Sequence, residues 1–244
     1  MGYDYLARNL ASWGFIVVSI NANRGITGRG AEGSRDPSLY NADINLSRYD
    51  PNLILARGRL VLRHLQKLSE WNQNGGAPRA IGDLKGKIDF SNVGLMGHSR
   101  GGEGVRAAYN LYEPSNSPWR TRILSPVTFK AIYEVAPTDR AADRLLDVGG
   151  VAWNVLLPMC DGDLVNLIGL MPFDRVMGFT GESRPRQKSA YAVWGANHNF
   201  FNTEWQRTDS NGCLDHAAIF PLPVVDSNGS AKQWIGARLD YVVK

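Results

Sequence analysis

Cysteine is scarce in this chain: Cys160 and Cys213 are the only two in 244 residues, too few for a disulfide scaffold and too far apart for a zinc knuckle. Long hydrophobic runs are missing as well. No segment approaches the roughly 20 uninterrupted apolar residues that span a bilayer, so no integral membrane segment is expected. The first residues, Met-Gly-Tyr-Asp-Tyr-Leu, lack the basic start, apolar centre and cleavage site of a signal peptide. Nor is there a block of one charge. The formal charge is +4, but the 27 Lys and Arg are scattered among 23 acids without aromatic-basic alternation, which excludes nucleic acid from the expected partners. No internal repeat or low-complexity tract is present.

At 43% hydrophobic, the chain can bury a substantial core, and its length fits a single domain, 1–244. Tyr5, Leu6, Leu10 and Trp13 recur at helical spacing, with Gly14 as a stop before an apolar, β-branched run at 15–20 that reads as a strand. Residues 21–50 lack periodicity and predict a long loop off the end of that strand. Asp50-Pro51 then opens a helix with Leu53, Ile54, Leu60, Val61, Leu65 and Leu68 along one side, and His64 inside it reads as a packing residue. Further apolar runs at 93–96, 129–135, 155–160 and 191–194 predict strands, the first of them buried, and Pro158 ends the third early or places it near an edge. A loosely amphipathic stretch covers 164–177. The tail from 203 is polar and irregular, with a short terminal strand expected at 239–243. Strand and crossover alternate, so the expected fold class is α/β: a mostly parallel sheet with helices on both faces, its site formed by loops at the strands' C-terminal ends.

The stretch that organises the chain is Gly97-His98-Ser99-Arg100-Gly101. It lies between the run at 93–96 and a helix predicted over 102–111, which puts Ser99 at the apex of a strand-turn-helix. Small residues two before and two after the serine let strand and helix approach, and the strained turn presents the hydroxyl. The plainer alternative is a glycine-rich turn whose serine caps the helix.

Two later strand ends carry the Asp161/Asp163 pair and His198. A serine hydroxyl needs a base to take its proton, and the base needs a carboxylate to set its tautomer and stabilise its charged form. Ser, then Asp, then His is the chain order of α/β-hydrolases. Among the four histidines, His198 follows the last strand in a small-residue turn. His64 is mid-helix, His98 flanks the serine and His216 lies in the tail.

Gly97-His-Ser-Arg-Gly-Gly102, Asp163 and Ala196-Asn-His198 resemble the serine-esterase branch of the α/β-hydrolase fold, and more narrowly the cutinase-like polyester hydrolases and related lipases. The similarity runs from the first helix to about Cys213. It implies an acyl-enzyme mechanism with Ser99 as nucleophile, His198 as base, Asp163 as the orienting acid with Asp161 as the alternative, and the Arg100 N–H as an oxyanion donor. No metal or organic cofactor is implied. In several of those enzymes a cysteine three residues before the acid is bridged to one beyond the histidine, which implies a Cys160–Cys213 disulfide and favours Asp163; Cys213 lies further past His198 than that pattern has it, and two free thiols are the alternative. The implied substrates are small-molecule, lipid or polymeric esters, with Phe200, Phe201 and Trp205 as local aromatics, and the implied location is outside the cell.

One departure is at the front. The chain starts at what resembles the first major helix of the fold, so the loop bearing a second oxyanion donor is expected to be missing. The fold is then N-terminally shortened, and an open sheet edge is covered by the tail or by a second copy of the chain. A hydrolase-like binding module with weak or no turnover, and an amidase or peptidase, are the competing functions.

Overall fold

The computed structural model describes residues 2–22, 50, 52–177 and 187–204. Residues 23–49, the tail from 205 with Trp205, Cys213 and His216, and the strand expected at 239–243 lie outside the described residues. The chain divides into two compact units that interleave in sequence: 1–21, 157–167 and 192–244 form one, and 22–156 with 168–191 form the other.

The second unit holds most of the sheet. Strands β1 (Val93–His98), β2 (Phe129–Val135), β3 (Ala152–Pro158) and β4 (Lys188–Val193) lie in that order. β1 pairs with β2 and β2 with β3 in parallel. β3 and β4 advance in step, with Trp153 N–H donating to Gln187 C=O and Met159 N–H to Val193 C=O, so this ladder is parallel too. The fold class is therefore α/β, as the alternation of runs predicts. β2 and β3 read as apolar because they are covered, with Ile132, Trp153 and Val155 each fully buried. β3 is interior and ends at Pro158, whose missing N–H removes a ladder donor.

Expectation and structure differ at two strands. β1 is an edge strand of the sheet as described, and its residues alternate in exposure, with Met96 at 38%, where the sequence predicts a buried strand. The run at 15–20 forms no strand, and Phe15 and Ile16 are 57% and 50% exposed. Apolar, β-branched composition supplies propensity, but a strand exists only through a ladder, and this run has no ladder partner among the described residues.

The helices follow their signals. α1 (Asp4–Ser12) stops before Gly14 at φ +89°. α2 (Ile54–Asn74) begins where the Asp50 carboxylate accepts the N–H groups of Ile54 and Ala56 at 2.8 and 2.9 Å, satisfying two donors of the first turn. α3 (Arg100–Tyr112) crosses α2 at close range. A Cβ on Gly58 would lie 2.8 Å from Ala108 N, and one on Gly104 would lie 2.8 Å from Arg57 Cβ. α4 (Trp119–Arg122) buries Trp119, and a 3₁₀ turn (Ile168–Leu170) leads into α5 (Met171–Met177).

Candidate functional site

Ser99 stands between β1 and α3 with φ +56° and ψ −128°, a backbone state that costs a non-glycine residue about 1–3 kcal/mol. Steric exclusion at its flanks shows why the turn is glycine-rich. A Cβ on Gly97 would lie 2.1 Å from Gly101 C=O oxygen, and one on Gly102 would lie 2.7 Å from Pro137 Cβ. Gly101 differs from expectation: a Cβ there meets nothing within 4 Å, so the close approach depends on the first and sixth residues of Gly97–Gly102. Ser99 makes no side-chain capping bond to α3, so the helix-cap alternative for its hydroxyl is not what the structure shows. Its backbone is held instead. Ser99 N–H donates to Val135 C=O at 2.9 Å, and Ser99 C=O accepts from Gly102 N–H at 2.9 Å and Thr138 N–H at 3.3 Å.

Behind the turn is a group of buried charges that periodicity alone does not reveal. Glu103, Arg106 and Glu134 have no exposed surface. The Arg106 guanidinium donates from Nε to Glu134 Oε1 at 2.7 Å, from Nη1 to Asp139 Oδ1 at 3.0 Å and from Nη2 to Thr138 C=O at 2.7 Å. Arg175 adds a two-pronged contact to Asp139 at 2.6 and 2.8 Å. Burial pushes the Glu134 carboxyl up to about 7 against the pull of Arg106. For Asp139 burial alone would also act upward, but the Arg175 hydrogen bond and the Arg106 charge hold it below the usual carboxylate range. A signal was there in the sequence: Glu134 interrupts an apolar strand, and Glu103 and Arg106 share a helix face with Ala107.

The other unit carries the histidine. Met159 N–H bonds Val193 C=O and Cys160 N–H bonds Ala196 C=O at 2.9 Å, so the segments after β3 and β4 run side by side. This brings Asp161 to His198. Asp161 Oδ2 lies 2.9 Å from His198 Nδ1, with both side chains buried. The other oxygen, Oδ1, accepts the Asp163 and Leu164 N–H groups at 2.9 and 2.6 Å. Burial alone would raise the Asp161 carboxyl, but the hydrogen bond from His198 and those from the turn backbone hold it below its ordinary range. An ionised Asp161 can only accept, so Nδ1 of His198 carries a proton.

The contact expected of Asp163 is thus made by Asp161. Asp163 points to the opposite ring nitrogen, with Oδ2 3.4 Å from Nε2 and its side chain 64% exposed. The physical reason is that capping the turn occupies only Oδ1 of Asp161 and leaves Oδ2 for the ring. Asn197 is buried and accepts the Asn199 N–H at 2.9 Å, which shapes the turn. The N-terminal segment ties down the residues after His198: Thr203 N–H donates to Gly2 C=O at 2.8 Å and Tyr5 Oη to Phe201 C=O at 3.0 Å. Phe201 is a packing residue, 4% exposed.

Asp161, Asp163 and His198 therefore stand together in one unit, while Ser99 and Arg100 belong to the other. Cys160 is disulfide-bonded, and Cys213 lies outside the described residues. His64 accepts its expected packing role, its Nδ1 2.8 Å from Leu60 C=O one turn back in α2. Among the described residues no group of three or more His, Cys, Asp or Glu is arranged to hold a metal ion, and no helix is long and apolar enough to cross a membrane. No protein-family model matches the chain, and no curated protein matches it either.

Proposed function

We propose that the chain is a serine carboxyl-ester hydrolase of the α/β-hydrolase type, with Ser99 as nucleophile, His198 as base and Asp161 as the carboxylate that orients the ring. The observation that carries the reading is the backbone of Ser99: a serine at positive φ, on a strand-to-helix turn that admits no Cβ at Gly97, is what presentation of a nucleophile requires. The buried Asp161–His198 pair supports it by supplying a base with a set tautomer. In the reaction the Ser99 Oγ forms a bond to the ester carbonyl carbon while its proton passes to His198 Nε2. The carbonyl π electrons move to oxygen, where the Arg100 N–H stabilises them. Collapse expels the alcohol, which takes the proton from His198 and leaves an acyl-enzyme. Water then repeats the sequence, releasing acid and free serine. The resemblance to cutinase-like enzymes extends the reading to lipid or polymeric esters.

The test is a substrate pair of equal acyl chain, p-nitrophenyl butyrate and butyryl p-nitroanilide, with Ser99→Ala as control. Ester turnover that exceeds amide turnover and falls by about 1000-fold or more in the variant supports the reading. Equal turnover by the variant, or a preference for the amide, overturns it.

A further inference from the structure

Thr138 is bound to the turn and helix around Ser99 by all three of its polar groups. Its N–H donates to Ser99 C=O at 3.3 Å, its hydroxyl donates to Glu103 Oε2 at 2.7 Å, and its C=O accepts from Arg106 Nη2 at 2.7 Å. Glu103 is the centre of this arrangement. Its carboxylate also accepts Ala141 N–H at 3.1 Å on Oε2 and Ala142 N–H at 2.9 Å on Oε1. No bond runs from it to the N–H groups of its own helix, although it stands in the first turn of α3, where acids commonly serve that purpose. The segment it grips is strained: Ala136, Arg140 and Asp143 all have positive φ, at 43°, 61° and 55°. Such a segment persists only where its surroundings over-determine it.

The consequence lies in one peptide plane. Ser99 C=O and Arg100 N–H belong to the same trans peptide and point in opposite directions, so a bond that fixes the carbonyl also aims the N–H. We propose that Glu103 is a positioning residue which, acting through Thr138, holds the Ser99–Arg100 peptide so that the Arg100 N–H meets the developing oxyanion. The inference rests on the esterase reading and adds to it a role for a buried acid that touches no substrate.

An N–H aimed at the oxyanion acts only once charge has moved to that oxygen, so misaiming it lowers kcat and leaves KM nearly alone. Glu103→Gln keeps the shape but turns one accepting oxygen into an amide donor facing the donors of the 138–142 segment. The experiment measures kcat and KM for p-nitrophenyl butyrate, and affinity for phenylboronic acid as a tetrahedral mimic, in parent and Glu103→Gln. Expected is a fall in kcat of about 10- to 100-fold with KM within about threefold, and a parallel loss of boronic acid affinity. Should Glu103→Gln not fold, Thr138→Val removes the hydroxyl bond and keeps the N–H on Ser99, with a smaller loss of about threefold or more in the same two readouts. A folded variant whose kcat stays within about twofold, or whose loss falls on KM with boronic acid affinity unchanged, overturns the inference while leaving the esterase reading in place. A parent chain without Ser99-dependent turnover overturns both.

Discussion

At the scale of single residues, the two acids of Cys160-Asp-Gly-Asp163 separate by what each oxygen does. Asp161→Asn should lower ester turnover by about 10⁴-fold, because the amide favours the wrong tautomer of His198. Asp163→Asn should cost about tenfold or less, since that side chain is largely in water, and parallel kinetics of the two variants check the order. The cysteine spacing of the resemblance favours the reverse, because it does not register that one carboxylate can have two roles, turn cap and ring partner. Two oxygens let Asp161 fill both. The sign of its titration follows from the same bonds. A carboxyl held below its ordinary range in the folded chain stabilises the fold above that range, and the contribution disappears as pH falls through the folded value. Thermal unfolding of parent and Asp161→Asn between pH 2 and pH 6 should show the parent's advantage shrinking toward the acid end. A constant difference across that window would count against the assigned bonds.

At the scale of elements, the turn around Ser99 was legible because its motif encodes a steric necessity, and the structure locates that necessity at particular glycines. Gly97→Ala and Gly102→Ala should each destabilise by about 1–3 kcal/mol or more by overpacking, and Gly101→Ala, with open space around the new methyl, should change the thermal midpoint little. Differential scanning calorimetry on the three variants separates them. The run at 15–20 misled for the opposite reason: propensity is a local property and a ladder is not. Buried ionic groups behind α3 escaped for a third reason, since partners as distant in sequence as Arg106 and Glu134 are joined only by the packing of α3 on the sheet. Glu134 titrates in the opposite sense to Asp161. Its folded value of about 7 lies above its ordinary one, so the folded chain holds a proton that the unfolded chain has lost, and stability falls as pH rises toward about 7 and then levels. Glu134→Gln should remove that slope between the ordinary carboxylate range and about pH 7, and a slope unchanged in the variant would place its origin elsewhere.

For the whole molecule, chain order and fold class were readable from alternating runs, while the division into two interleaved units was not, because each unit collects segments far apart in sequence. The resemblance implies a Cys160–Cys213 bridge and Cys160 is disulfide-bonded, so the denatured, unreduced protein is expected to take up no alkylating reagent. Intact mass before and after iodoacetamide reads this directly, and two added labels would contradict it. An activated Ser99 reacts with an electrophilic probe whatever the natural substrate is. The chain is incubated with a fluorophosphonate at neutral pH and the modified residue is mapped by peptide mass. A single phosphonyl group on Ser99, no labelling of Ser99→Ala and slow labelling of Asp161→Asn are expected. A parent chain that stays unlabelled, or that is labelled equally after Ser99→Ala, would contradict an activated Ser99.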